Sequence, residues 1–123
     1  MNFSLNRVIL FVQNVELLKG FYRKNFRFEV LEEIRDEWVV LGAGNCELAL
    51  HKAGVAVDSG ETNNVKIVFE TDEDLGSLRE GLVRNNVSMG EIRSFEGFTD
   101  LFCDGRDAEG NVFQLVQKVG SRS

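Results

Sequence analysis

The 123-residue sequence predicts an α+β fold of two tandem βαβββ units, whose curved mixed sheets form a cup with the helices outside. Three observations predict it. The first half reads strand, helix, strand, strand, strand. A stretch of low periodicity from Ala53 to Asn63 then breaks the pattern, and the same order starts again. Equivalent points of the two halves, Arg7 and Lys66, lie 59 residues apart, so the repeat is one of pattern rather than of letters. The chain is read as one domain, 1–123, with units at about 5–52 and 64–118 and a linker at about 53–63.

In the first unit, Val8-Ile9-Leu10-Phe11-Val12 is a continuous apolar run of strand length. Asn14 follows as an N-cap, its side chain placed to accept from the free amides of a first helical turn. Val15, Leu18 and Tyr22, with Phe21, make one apolar stripe, while Lys19, Arg23 and Lys24 face water and suit the helix dipole. Phe28–Ile34 and Trp38–Leu41 read as two strands around a polar turn at Arg35-Asp36-Glu37. After a second turn at Gly42-Ala43-Gly44-Asn45, Cys46–His51 is the last strand of the unit.

In the second unit, Val65–Phe69 is the opening strand. Thr71-Asp72-Glu73-Asp74 resembles a capping box with Asp in the place of Glu. Leu75, Leu78 and Leu82 give the helical stripe, and Asn85-Asn86 end it. Three strands follow: Val87–Phe95, Thr99–Asp104 and Val112–Lys118, the last preceded by a turn from Asp104 to Asn111. The acidic trio Asp104, Asp107 and Glu109 lacks the spacing of a calcium loop and reads as turn chemistry.

Composition excludes several classes. An apolar fraction of 43% and a charged fraction of 28% are ordinary globular values and argue against disorder. No apolar run approaches the roughly 20 residues of a membrane span, and the N-terminal residues lack a signal-peptide pattern, so the expected location is cytoplasmic, with no membrane partner. A net charge of −6 without a basic block argues against nucleic acid. Cys46 and Cys103 form no disulfide framework, and the single histidine, His51, rules out a His pair within one chain. His51 and Glu47, four apart in one strand, read as a surface pair on one face.

Two segments carry a resemblance. Arg7–Asn14 followed by Phe21-Tyr22-Arg23-Lys24-Asn25-Phe26-Arg27-Phe28, and Phe102–Val116 with its Asp107-Ala108-Glu109-Gly110-Asn111 core, resemble the vicinal-oxygen-chelate superfamily of glyoxalases, bleomycin-resistance proteins and extradiol dioxygenases. The family's closing motif reads Phe-x-Asp-Pro-Asp-Gly-Asn-x-x-Glu-Leu; here Gly105-Arg106 look inserted and Ala108 replaces the proline. The first helix of the family ends before a Leu-Gly-Phe-like turn, where this chain has Phe26-Arg27-Phe28.

The resemblance implies a divalent metal held by four strands, at positions that fall here on Arg7, Lys66, Gln114 and Leu48, or Glu47 one residue away. Charged Arg and Lys offer no lone pair, and a Gln amide is a weak ligand, so neither a metal nor another cofactor is expected. Strand alternation puts Ile9 and Phe11 on the face of Arg7, and Val112 and Val116 on that of Gln114. Trp38, Val40, Phe98 and Phe102 are the further wall residues. The ligand-binding set is therefore Arg7, Phe11, Trp38, Lys66, Phe102 and Gln114. Arg7 and Lys66 either share an anion or are neutralised by Glu70, Glu47 or Glu29. The reading is a metal-free protein that binds or sequesters an unknown small molecule, as resistance proteins do, and leans away from an enzyme. A module whose cup is filled by its own side chains, and a lyase or dioxygenase-like enzyme with an atypical site, are the alternatives. By the same resemblance it forms a homodimer.

Overall fold

A computed structural model describes residues 5–53, 65–96 and 99–118. The chain divides into two compact units, Met1–Asp58 and Ser59–Ser123. The predicted linker beyond Ala53, and Phe98, lie outside the described residues.

The first unit runs β1 (Arg7–Val12), α1 (Val15–Phe26), β2 (Glu29–Ile34), β3 (Trp38–Ala43) and β4 (Cys46–Lys52), and its sheet has the order β1-β4-β3-β2. β1 and β4 are parallel and the other pairs antiparallel, a mixed sheet. Asn14 caps α1 as its sequence requires: Oδ1 accepts from the Leu17 amide at 3.0 Å. Val15, Leu18 and Tyr22 are buried on α1, as are Leu10, Val12, Val39, Leu41, Leu48 and Leu50 of the sheet face it covers. β2 reaches β3 by a tight turn in which Asp36 takes a positive φ of 64°. An extra residue at Leu31 shifts the β2–β3 register between Val30 and Glu32, a bulge on the edge strand.

The second unit runs β5 (Ile67–Thr71), α2 (Leu75–Arg84), β6 (Ser88–Met89), β7 (Arg93–Ser94), β8 (Leu101–Arg106) and β9 (Val112–Gln117). Its sheet has the order β5-β9-β8-β6, with β7 also on β8. β5 and β9 are parallel, as β1 and β4 are, so the two units share one topology. Leu75 and Leu82 of α2 are buried, with Phe113, Leu115 and Cys103 in the core.

Three details differ from the sequence reading. The stretch Val87–Phe95 is two short strands rather than one. Met89 pairs with Gly105 and Arg93 with Phe102, so one extra residue intervenes where Gly90 turns its carbonyl to Arg79 Nε at 2.7 Å and Cys103 Sγ at 3.3 Å. The cap of α2 is Asp74, which accepts from the Ser77 amide at 2.9 Å; Thr71 ends β5, and its hydroxyl accepts from the Glu73 amide instead. β8 continues through Gly105 and Arg106, because Gly105 lets Met89 and the Phe113 ring close over a position with no Cβ. The turn itself is Asp107-centred: buried Asp107 accepts through Oδ1 from the amides of Glu109 and Asn111, both at 2.9 Å.

Candidate functional site

Alternation in β1 sends Arg7, Ile9 and Phe11 to the sheet face away from α1, opposite the buried set Leu10 and Val12. Register then fills that face. Glu47 stands across from Arg7, Ala49 across from Ile9, and His51 across from both Phe11 and Trp38. The sequence thus leaves Glu47, not Leu48, beside Arg7; Leu48 is buried on the helix side.

The contacts on this face are specific. Arg7 Nε donates to Glu47 Oε1 at 2.9 Å, and Nη2 lies 2.7 Å from the same oxygen. Its guanidinium carbon sits 5.6 Å from the centroid of the Trp38 ring, within cation–π range. Trp38 Nε1 donates to Glu32 Oε2 at 2.7 Å, which fixes the indole, and the His51 ring meets it edge-on at 5.7 Å. Phe11 packs on the other side of His51 at 5.2 Å. Phe11 is nonetheless 62% exposed, and Ile9, Leu31 and Ile34 are exposed too. An aromatic and aliphatic surface this open, with polar groups held in fixed positions, is the usual makeup of a recognition face.

The second unit builds a corresponding face from Lys66, Val68, Phe102, Asp104 and Gln114. Val68 pairs with Gln114 and Asp104 with Gln114, which puts the three side chains on one side of the sheet. Lys66 Nζ donates to Asp104 Oδ2 at 3.0 Å and Gln114 Nε2 to Asp104 Oδ1 at 2.9 Å. Partial burial pushes the Asp104 carboxyl up, but the hydrogen bonds from Lys66 and Gln114 outweigh it and hold the pKa below its ordinary value. Phe102, two residues before Asp104, meets Phe95 edge-on at 5.2 Å. Glu70, one of the carboxylates considered for Lys66, lies 3.5 Å from Lys118 instead.

Each half therefore holds a cation locked on a carboxylate at the position the resemblance assigns to a metal ligand. Arg7 and Lys66 have no lone pair to give. Glu47 Oε1 and both Asp104 oxygens are already engaged, and the fixed positive charges would repel a dication. The residues present do not fit a metal ion. Among the described residues, no three His, Cys, Asp or Glu side chains come together as a metal-binding group. Cys103 is equally unsuited to nucleophilic chemistry: it is buried, and burial pushes its thiol pKa up.

Of the residues singled out by sequence, Arg7, Phe11 and Trp38 share one face of the first unit, and Lys66, Phe102 and Gln114 one face of the second. Sequence reasoning leaves out Glu32, which holds the Trp38 indole through a bond from a neighbouring strand, and gives His51 and Asp104 other roles. His51 had the right parity but its ring contacts depend on pairing across three strands. Asp104 looked like turn chemistry, although its place two residues after Phe102 was the available signal.

With this geometry in hand, comparison with known proteins identifies the family. Residues 4–115 match the model of the Glyoxalase/Bleomycin resistance protein/Dioxygenase superfamily, and the chain belongs to it. The genomically encoded fosfomycin resistance protein FosX from Listeria monocytogenes has a similar fold, with a TM-score of 0.80 at 14% identity over 97% of this chain and 96% of that one. Lactoylglutathione lyase from Agrobacterium tumefaciens is similar at a TM-score of 0.77 and 14% identity, over 93% and 92% of the two chains. An integron cassette protein from the mobile metagenome of V. Pseudocholerae is similar at a TM-score of 0.76 and 21% identity, over 98% of each chain. No curated protein matches the sequence. No helix among the described residues is long and apolar enough to cross a membrane.

Proposed function

We propose that this chain is a small-molecule-binding protein of the glyoxalase/bleomycin-resistance type that works without a resident metal ion, in resistance or sequestration. One observation carries the reading: the family's ligand positions are filled by closed ion pairs, Arg7 on Glu47 and Lys66 on Asp104 with Gln114. Internal neutralisation supports a ligand other than an anion at these two cations. What the first face offers is Phe11, Trp38 and His51 rings, exposed aliphatic side chains and the carboxylates of Glu32 and Glu47. That surface suits a planar, largely apolar ligand, neutral or cationic.

The chain's only tryptophan makes the test direct, since Trp38 lies in the proposed face. Titration with a panel of aromatic cations and neutral aromatics should change Trp38 emission and raise Tm, and simple carboxylates should do neither. Elemental analysis after incubation with nickel, zinc, manganese or iron should find less than about a tenth of an equivalent. A stoichiometric metal would overturn the metal-free reading in favour of an enzyme with an atypical site. The same proposal makes the protein a cytoplasmic homodimer with no nucleic-acid or membrane partner. Light scattering at micromolar concentration checks the oligomeric state.

A further inference from the structure

The outer side of α1 concentrates cations. A shallow groove of about 540 Å³ runs along it, lined by the cations Lys19, Arg23, Lys24 and Arg27 with Glu16 as the single carboxylate, in a protein of net charge −6. Lys19, Arg23 and Arg27 recur every four residues, so they form one row roughly 12 Å long at a helical rise of about 1.5 Å per residue. Gly20 leaves the middle of the groove open, with no atom within 4 Å of the place a Cβ would take. Phe28 closes one end, stacked on Phe26 at 5.6 Å.

Ordinary helix chemistry explains part of this. Arg23 and Lys24 lie in the last turn, where the dipole favours cations, and Lys19 is neutralised by Glu33 at 2.8 Å and Glu16 at 3.6 Å. The dipole favours the charge of Arg27 as well, but it does not explain a long side chain at the backbone angle found there. That residue is the C-cap with φ 59°, a left-handed position where glycine is the usual choice, and it places one more cation at the end of a row of like charges. Among the described residues, Arg23, Lys24 and Arg27 have no carboxylate within 4.0 Å. Arg27 thus adds a guanidinium with no carboxylate partner to this row of cations, at a φ that a long side chain rarely takes.

We propose that this groove binds a short linear oligophosphate, its phosphoryl groups spread along Arg23, Lys24 and Arg27. Guanidinium groups favour phosphate through paired N–H donors, and two of them with the Lys24 ammonium fit a chain of phosphoryl groups better than a single one. At physiological salt the Debye length is about 8 Å, so the local cations outweigh the distant negative charge of the chain. The oligophosphate can be free, or carried by a nucleotide whose base would lie against the Phe28 end.

The test is calorimetric titration of the full chain with tripolyphosphate, with ATP and with inorganic phosphate, at low and at physiological salt. Tripolyphosphate should bind, orthophosphate at least tenfold more weakly, and salt should weaken both. Equal affinity for tripolyphosphate and ATP assigns the site to the phosphate chain; tighter ATP adds the base. Arg27→Gly, which suits its φ, and Arg23→Gln should each lose about tenfold in affinity, while Arg84→Gln at the end of α2 should lose nothing. No heat with tripolyphosphate, or an equal loss in Arg84→Gln, would overturn the proposal. Amide shifts confined to residues 19–28 in NMR titration provide a readout independent of variant folding.

Discussion

Glu47 faces Arg7 directly across the parallel β1–β4 pair, and a single oxygen, Oε1, receives both Nε at 2.9 Å and Nη2 at 2.7 Å. Both side chains keep about a third of their surface in water, at 35% and 29%. Such a pair is screened, and geometry rather than burial sets its worth. A double-mutant cycle with Arg7→Gln and Glu47→Gln is expected to give a coupling of about 0.5–1 kcal/mol by chemical denaturation. A coupling of zero would mean that the guanidinium is available to a ligand, and the anion reading of this position would return.

Asp104 gives the corresponding experiment in the second unit. Its folded pKa lies below the value of an unfolded aspartate, about 3.9. A depressed carboxylate contributes stability that is fully present above the unfolded pKa and is lost as pH falls through the folded one. The Tm advantage of the native chain over Asp104→Asn should therefore be constant from pH 7 to about 5 and shrink below about 4. Asp74, also held low by its Ser77 hydrogen bonds, titrates in the same window in both proteins, so the difference isolates Asp104. An advantage that grows on acidification would mean that Lys66 and Gln114 do not hold the ionised form.

The fold was legible because its signals are local. Asn14, the stripe Val15–Leu18–Tyr22 and the apolar β1 run depend on residues within one or two turns of each other. Which residues share a face of the candidate site was legible in part, through strand parity: Arg7 with Phe11, and Gln114 with Val112. What parity cannot supply is register. His51 meets Phe11 and Trp38, and Asp104 meets Lys66 and Gln114, only once pairings between distant strands are known. The split of Val87–Phe95 was hidden for a like reason, since the extra residue between Met89 and Arg93 shows only once their pairings with Gly105 and Phe102 are known.

Gly105 tests how tightly the β8 core is closed. A Cβ there would lie 2.5 Å from Met89 Sδ and 2.7 Å from an atom of the Phe113 ring. The thioether can swing away, but Phe113 is fully buried and has nowhere to go. Gly105→Ala should cost about 1–3 kcal/mol in denaturant unfolding. A neutral result would place the Phe113 ring elsewhere.

Asp107 is the buried acid that holds the turn before β9. Its carboxylate accepts from two backbone amides and from Asn111 Nδ2, at 2.8 Å through Oδ2. Asp107→Ala leaves those donors without partners and should lose about 1–3 kcal/mol. Asp107→Asn keeps one acceptor oxygen but turns an amide toward Asn111 Nδ2, so it should fall between the two in urea melts. Equal stability of all three would remove the turn's dependence on this side chain.

Arg27 makes the opposite forecast, a gain. A non-glycine residue in the left-handed region costs about 1–2 kcal/mol, and its charge adds about 0.2–0.5 kcal/mol of repulsion from Arg23 four residues earlier. Glycine removes both terms and gives back about 0.5–1 kcal/mol through the greater freedom of the unfolded chain. Arg27→Gly should therefore be more stable by on the order of 0.5–1 kcal/mol, read as a higher denaturant midpoint at unchanged slope. A stabilised fold with lost oligophosphate binding is the pairing expected of a residue kept for recognition at the expense of its own backbone. A destabilised variant would show that Arg27 supports the helix end itself, and its unusual φ would need no ligand to explain it.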